Sequence, residues 1–312
     1  MSEPGFQLKS ARESLQGLSR HGVFVGTSSW KYEGWVGTLY SASKYEYRGR
    51  FAQTRFERSC LEEYAAVFKT VCVDAAYYDF PRASYLEGLA SQVPADFQFA
   101  LKVTDAITVK KFPNLDRFGA RAGQLNPEFL NPRLFADHFL APCDTIRSQI
   151  GLLILEFSRF WPSDYSQGRA FVTDLDRFLE QVPKGWPLGI ELRNEGWLQP
   201  EYFERLARHE VTHVFNSWEV MPSVSEQMAL PESRTCPSRL AARFLLKPGR
   251  KYADAVKAFQ PYDQVREINP EVRAAGRALI REGQTDPARK TFIFVNNRLE
   301  GNALGTIAAM IA

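Results

Sequence analysis

Short apolar runs and longer amphipathic stretches alternate along the chain. Each apolar run is rich in Val, Ile, Leu or Phe and is short for a helix, so these runs predict β-strands. The predicted strands are residues 22–28, 70–74, 97–102, 150–156, 187–193, 211–216, 241–247 and 290–295. Apolar residues at helical spacing predict a leading helix within residues 1–21 and further helices at residues 61–68, 82–92, 133–148, 164–181, 200–208, 270–282 and 302–311.

The alternation of eight strands with helices predicts an α/β fold with parallel strands, because a parallel pair needs a crossover such as a helix. A closed TIM-type (β/α)8 barrel, formed as a single domain by residues 1–312, accounts best for this pattern. An open doubly wound sheet is the alternative, but no Gly-x-Gly-x-x-Gly motif follows the first strand. Two long loops, residues 104–132 after the third strand and residues 217–238 after the sixth, are expected to form excursions above the barrel.

Polar and aromatic side chains occur at the end of every predicted strand. Glu191 and Arg193 end the fifth strand two residues apart, so both lie on one face of it. In barrels of this type, function is found on the loops at the C-terminal ends of the strands. Packing alone does not require polar groups at all eight strand ends, so a functional site is predicted there. The candidates are Ser28, Trp30, Asp74, Tyr77, Lys102, Glu156, Glu191, Arg193, Asn216, Trp218, Lys247, Asn296 and Asn297.

The predicted catalytic residues are Glu191, Lys102, Arg193 and Glu156. Glu156 and Glu191 end neighbouring strands, and two close carboxylates either share a proton or hold a divalent cation. Glu191 is therefore expected to act as a general base or metal ligand. Lys102 is expected to stabilise developing negative charge. The alternative is a static network in which Arg193 and Lys102 neutralise the two carboxylates.

A basic loop follows the seventh strand, with Lys247 and Arg250 on either side of Gly249. Barrels often bind phosphate in the loops after the seventh and eighth strands, so this loop predicts an anionic ligand. A solvated basic loop is the alternative. The predicted substrate-binding residues are Ser28, Trp30, Asp74, Tyr77, Asn216, Trp218, Lys247, Arg250, Asn296 and Asn297, with Trp30 and Trp218 as pocket walls and the two asparagines orienting the substrate.

Composition and motif spacing limit which cofactors, metals and partners the sequence predicts. The 312 residues are 45% hydrophobic and 24% charged, with a net charge of +3 that neither requires nor excludes nucleic acid. The four cysteines have no Cys-x-x-Cys spacing and the four histidines form no His-Glu-x-x-His motif, so no zinc, haem or nucleotide-cofactor motif is present. No residue is assigned to a metal. Any metal would be Mg or Mn bound through carboxylates. The lack of an apolar leader or a membrane-length apolar run predicts a cytoplasmic protein with no membrane partner.

Several motifs resemble the YecE-like family, the domain of unknown function 72. They are residues 26–30, Trp35, Tyr40, Glu63, Tyr64, Phe68, residues 71–81, 99–102, 190–193 and 294–297, and Gly301. The resemblance implies a TIM-type barrel and no established activity, and its motif residues include Trp30, Lys102, Glu191, Arg193, Asn296 and Asn297. Two departures stand out: residues 74–78 read Asp-Ala-Ala-Tyr-Tyr where members usually read like Glu-Val-Asn-Ser-Thr-Phe-Tyr, and Glu156 replaces a usual glutamine.

Three functions fit these observations. The first is an enzyme that acts on a small polar anionic compound, such as a sugar phosphate, at the C-terminal face of the barrel. The second is a nucleic-acid-binding or repair protein with an endonuclease-like barrel, an analogy of fold alone. The third is a non-catalytic module that binds a metabolite. The residue pattern fits isomerases, lyases and hydrolases equally well.

Overall fold

Eight parallel strands close into a barrel in the computed structural model, which describes residues 6–312. Each strand pairs with the next along the chain, and the last pairs with the first. This closed barrel confirms the predicted TIM-type fold. The barrel strands are β1 (Val23–Thr27), β2 (Thr70–Val73), β3 (Gln98–Lys102), β4 (Ile150–Phe157), β5 (Leu188–Leu192), β6 (Thr212–Ser217), β7 (Arg239–Phe244) and β8 (Lys290–Val295).

Helices surround the barrel and connect its strands. The α-helices are α1 (Leu8–Arg20), α2 (Gln53–Ala65), α3 (Ala75–Tyr78), α4 (Ala83–Ala90), α5 (Asp105–Thr108), α6 (Pro132–Phe135), α7 (Ala141–Cys143), α8 (Gly168–Gln181), α9 (Pro200–Arg208), α10 (Val224–Met228), α11 (Tyr252–Phe259), α12 (Pro270–Gln284) and α13 (Ala303–Ile311). Shorter 3-10 turns are Glu33–Trp35, Ala42–Tyr45, Asp116–Arg121, Asp144–Gln149 and Glu195–Trp197. Among the described residues, no helix is both long and apolar enough to span a bilayer.

The continuous helix expected over residues 133–148 is instead a series of short segments. A π-helical turn, Ala136–Leu140, separates α6 from α7, and the 3-10 turn Asp144–Gln149 follows. Pro142 lies in α7. Because proline has no N–H to donate and its ring crowds the preceding turn, a regular helix cannot continue through this position.

Alternate residues of each strand divide between two apolar layers. On β4, Leu152 and Ile154 face the barrel interior, and Leu153 between them packs in the outer core against the helices. The next inward position after Ile154 is Glu156. The interior layer comprises Phe24, Cys72, Ala100, Leu152, Ile154, Val214, Ala241, Phe292 and Phe294.

The same two-residue step places polar side chains above this apolar interior at the C-terminal end of other strands. It leads from Cys72 to Asp74, from Ala100 to Lys102, from Val214 to Asn216, from Ala241 to Arg243 and from Phe294 to Asn296. The step on β5 runs from Gly189 to Glu191 and Arg193. A Cβ atom at Gly189 would lie only 2.9 Å from Cγ2 of Val214, so the crowded interior favours glycine there. The barrel therefore carries a polar layer on top of an apolar one.

Candidate functional site

Six charged side chains meet at the C-terminal end of the barrel interior. They are Asp74 after β2, Lys102 on β3, Glu156 on β4, Glu191 and Arg193 at the end of β5, and Arg243 on β7, and together they form what we call the mouth cluster. Arg243 was not among the sequence candidates. The seventh strand was expected to extend to Lys247, but β7 ends at Phe244, so its last inward residue is Arg243.

Glu191 is fully buried at the centre of this cluster. Its Oε1 accepts hydrogen bonds from Nε and NH2 of Arg193, at 2.9 and 2.7 Å. Its Oε2 accepts from NH1 of Arg243 at 2.6 Å. Both carboxylate oxygens are thus bound to guanidinium groups, which suits Glu191 to holding the two arginines in position.

Glu156 ties three cations together through one oxygen. Its Oε2 lies 2.8 Å from Nζ of Lys102, 2.7 Å from NH2 of Arg193 and 3.0 Å from NH1 of Arg243. Burial alone would raise the pKa of Glu156, but Arg193, Lys102 and Arg243 outweigh it and hold that pKa well below its usual range. Glu156 therefore stays ionised and anchors the cations.

Aromatic rings support two of the cations. Nζ of Lys102 lies 3.6 Å from the centre of the Tyr77 ring, and Cζ of Arg193 lies 3.7 Å from the centre of a Trp218 ring. Both cations retain donors, because an ammonium has three N–H groups and a guanidinium has five. Within residues 6–312, NH1 of Arg193 has no hydrogen-bond partner.

Asp74 differs from the two glutamates. Its Oδ1 lies 3.6 Å from NH2 of Arg243, beyond hydrogen-bonding distance, and this buried atom has no hydrogen-bond partner among the described residues. The side chain as a whole is 38% exposed. Burial raises the pKa of Asp74, although Arg243 and Lys102 oppose the shift. Asp74 is therefore the mouth-cluster carboxyl best suited to exchange a proton with a ligand.

Three predicted binding residues lie in the same inner layer. Ser28 and Asn216 are buried, and Oγ of Ser28 and Oδ1 of Asn216 have no hydrogen-bond partner among the described residues. Nδ2 of Asn216 donates to the carbonyl of Leu192 at 3.2 Å. Oδ1 of Asn296 accepts from the backbone N–H of Arg298 at 2.9 Å, which leaves its amide nitrogen for other contacts. These groups add neutral hydrogen-bonding capacity around the charges.

Two other candidates are used by the fold. Oδ1 of Asn297 accepts from the backbone N–H of Ala303 at 2.7 Å and thereby holds the start of α13. Trp30 is buried in the outer core, and its carbonyl accepts a hydrogen bond from the Tyr40 hydroxyl. Neither side chain is joined to the mouth cluster by a hydrogen bond or ion pair among the described residues, and Trp218, rather than Trp30, contacts one of its cations.

The basic loop after β7 is neutralised locally. Nζ of Lys247 lies 2.9 Å from Glu267, and NH2 of Arg250 lies 2.5 Å from the other oxygen of the same carboxylate. Hydrogen bonds from Lys247 and Arg250 lower the pKa of Glu267. The loop therefore offers an anion less positive charge than its sequence alone indicates.

No group of three or more His, Cys, Asp or Glu side chains within residues 6–312 is arranged to hold a metal ion. All four cysteines are buried and free. A divalent metal shared by Glu156 and Glu191 would need carboxylate oxygens that are free to bind it. Instead, both carboxylates contact Arg243. The residues present thus fit a bound anion better than a bound cation.

Comparison with known proteins identifies the family. Residues 24–312 match the family described as protein of unknown function DUF72. A crystal structure of a DUF72 family protein from Enterococcus faecalis V583 is 18% identical, with a TM-score of 0.62 over 92% of this chain and 94% of that one. A DUF72 family protein from Thermotoga maritima MSB8 is 19% identical, with a TM-score of 0.58 over 93% and 97% of the two chains. These low identities support the fold alone. No curated protein matches the sequence.

Proposed function

The chain belongs to the DUF72 family, as its motifs indicated, and we propose that it is an enzyme that binds a small anionic compound at the C-terminal face of the barrel and transfers a proton through Asp74. The observation that carries the proposal is the contrast within the mouth cluster. Both oxygens of Glu191 and one oxygen of Glu156 accept hydrogen bonds from arginines, whereas Asp74 has no hydrogen bond to a cation and has a raised pKa. A raised pKa makes the carboxylate a stronger base, and the lack of a hydrogen bond leaves it able to exchange a proton with a bound ligand.

The cations have a complementary role. Lys102 and Arg193 retain donors that can bind an anionic group of the ligand and stabilise negative charge as it develops. Arg243 lies 3.0 Å from Glu156 and 2.6 Å from Glu191 and holds these two carboxylates in position, whereas Asp74 lies 3.6 Å away. Because these charges are fixed by one another, they need little rearrangement when a substrate binds. The proposed substrate is a small phosphorylated or carboxylated compound, with sugar phosphates as the first class to examine.

The proposal is tested by proton NMR in deuterated water, with the wild-type protein and a panel of sugar phosphates, keto acids and hydroxy acids. Isomerisation, elimination, hydrolysis and deuterium exchange all change the spectrum, so the reaction need not be known beforehand. For any compound that is consumed, Asp74→Asn should slow turnover at least about 100-fold and leave binding measurable by calorimetry.

The matched control is Asp137→Asn, which changes an exposed aspartate on the segment between α6 and α7. It should react at the wild-type rate. Turnover by Asp74→Asn at the wild-type rate would refute the role of Asp74. Binding without any spectral change across the panel would favour the non-catalytic binding module.

A further inference from the structure

A small cavity lies above the ends of β4 and β5, beside the mouth cluster. It has a volume of about 200 Å³, and Arg193, Arg159, Asn194 and Trp197 are among its lining residues. Sites for whole small-molecule ligands usually measure roughly 300–1,000 Å³, so this cavity fits one chemical group of a ligand. Arg193 belongs both to the cavity and to the mouth cluster, so a ligand group bound here would be held next to the proposed reaction site.

The walls of the cavity are firmly held. Asn194 makes two hydrogen bonds to the backbone of Phe160: Nδ2 donates to the carbonyl at 3.0 Å, and Oδ1 accepts from the N–H at 2.9 Å. This pair joins the loop after β4 to the loop after β5. Trp197 stacks on the ring of Phe160 with centroids 5.5 Å apart. The cavity is therefore shaped by packing and hydrogen bonds that exist without a ligand.

Two arginines supply the chemistry. Nε and NH2 of the buried Arg193 are bound to carboxylates, NH1 has no hydrogen-bond partner within residues 6–312, and Arg193 lines the cavity. Arg159 is exposed and has no carboxylate partner in the described part of the chain. Its Cζ lies 4.6 Å from the centre of the Trp161 ring, which supports the guanidinium plane.

One acidic side chain, Glu195, also lines the cavity. It is exposed and forms no ion pair with either arginine within residues 6–312, so water screens its charge. The cavity lining therefore carries two guanidinium groups and one exposed carboxylate, and Arg159 is the cation with no carboxylate partner within residues 6–312. Two guanidinium groups match the several oxygens and double charge of a phosphate better than the single plane of a carboxylate.

We propose that this cavity binds the phosphate group of a small phosphorylated substrate, between NH1 of Arg193 and the guanidinium of Arg159. The inference rests on the proposed function in one respect: the rest of the substrate would extend over the mouth cluster towards Asp74. The sequence predicted an anion site in the loop after β7, but Glu267 already pairs there with Lys247 and Arg250. The proposed phosphate site lies instead at the loops after β4 and β5.

Isothermal titration calorimetry with inorganic phosphate, glucose 6-phosphate and glucose tests the proposal on the full chain. Wild-type protein should bind both phosphate compounds and bind glucose at least about 10-fold more weakly. Arg159→Ala should weaken binding of both phosphate compounds about 10-fold or more, because it removes a charge-assisted contact. Arg159→Lys should restore part of the affinity, since it keeps the charge without the planar fork.

Arg58→Ala is the matched control, because Arg58 is also exposed and forms no ion pair within residues 6–312. Arg58 lies on α2, away from the cavity residues in the sequence. The substitution removes the same charge as Arg159→Ala, and the variant should bind phosphate like the wild type. Equal affinities for Arg159→Ala and wild type, or no phosphate binding by wild type, would overturn the proposal.

The two proposals fail separately. Phosphate binding that depends on Arg159, without turnover of any compound, would support the cavity and refute the enzyme. Turnover that depends on Asp74, with the Michaelis constant of a phosphorylated substrate unchanged in Arg159→Ala, would support the enzyme and refute the cavity.

Discussion

Two buried ion-pair networks in this protein use the same kinds of residue to different effect. In the first, Glu300 and Arg273 pair beside α12 and α13, and both are almost completely buried. Oε2 of Glu300 accepts from Arg273 at 3.0 Å and from the Thr306 hydroxyl at 2.8 Å. Oε1 accepts from the backbone N–H of Asn269 at 2.5 Å and from Arg273. Each carboxylate oxygen thus accepts from at least two donors.

The mouth cluster is arranged differently. Three cations face three carboxylates, but Asp74 lies 3.6 Å from its nearest cation and NH1 of Arg193 has no hydrogen-bond partner within residues 6–312. Buried charges are costly unless they are fully paired and hydrogen-bonded. The network at Glu300 meets that condition through its own residues, whereas the mouth cluster has donors and a carboxyl left for a ligand. The comparison separates an ion pair whose oxygens are fully bonded within the fold from a cluster that we propose binds a ligand.

The largest effect on stability is expected from a substitution in the Glu300–Arg273 network. Glu300→Gln removes the buried anion that accepts hydrogen bonds from Arg273, the Thr306 hydroxyl and the backbone N–H of Asn269, and should lower the free energy of unfolding by about 3–5 kcal/mol in urea denaturation. Glu271→Gln, at an exposed position on α12, is the control and should change it little. Phosphate binding in the proposed cavity beside the mouth cluster should survive in the folded fraction of Glu300→Gln. A loss of that binding without a loss of stability would contradict the division between the two networks.

An intermediate effect is expected for Glu156→Gln. The substitution removes the carboxylate shared by Lys102, Arg193 and Arg243, and should cost about 2–3 kcal/mol at pH 7, because the two arginines still pair with Glu191. The folded-state pKa of Glu156 is depressed, so its contribution is complete above the unfolded pKa near 4.5 and is lost as the pH falls towards the folded value. The stability difference between wild type and Glu156→Gln should therefore shrink between pH 5 and pH 3, as urea titrations at each pH would show. A constant difference would mean that Glu156 stabilises by packing.

The smallest expected effect on stability is at Asp74. Burial raises its pKa, so the ionised carboxylate disfavours folding at neutral pH, and a neutral asparagine removes that cost. Asp74→Asn should therefore melt at the same temperature as wild type or about 1–2 °C higher at pH 7. The gain should disappear at acidic pH, where Asp74 is protonated in both folded and unfolded states. A clear drop in melting temperature at pH 7 would place Asp74 with the stabilising ion pairs.

Much of the fold and part of the candidate site could be predicted from the sequence. The eight apolar runs and the helical stretches between them were enough to predict the barrel, because each strand and each connecting helix can be recognised from a short segment of sequence. The same period of two placed Lys102, Glu156 and Glu191 at the strand ends. It could not place Arg243, since a strand end misjudged by a few residues changes which cation is the last to face inward.

Contacts between residues far apart in the sequence could not be predicted from local sequence patterns. Glu267 neutralises Lys247 from 20 positions away, and no periodicity links the two. Asn296 and Asn297 are neighbours in sequence but have different roles, because consecutive residues at a strand end face opposite sides. Arg159 lies beyond the end of β4, and only the folded loops bring it to the same cavity as Arg193.

The exposure of Trp161 also has an optical consequence. Of the six tryptophans, Trp161 is 57% exposed, whereas Trp30 and Trp35 are buried and Trp186, Trp197 and Trp218 are only partly exposed. Its indole should dominate the red-edge emission of the protein and the fraction that acrylamide quenches. Because Arg159 rests on this ring, a ligand that immobilises the arginine would change the quenching constant, so the native chain carries its own fluorescent reporter beside the proposed phosphate cavity.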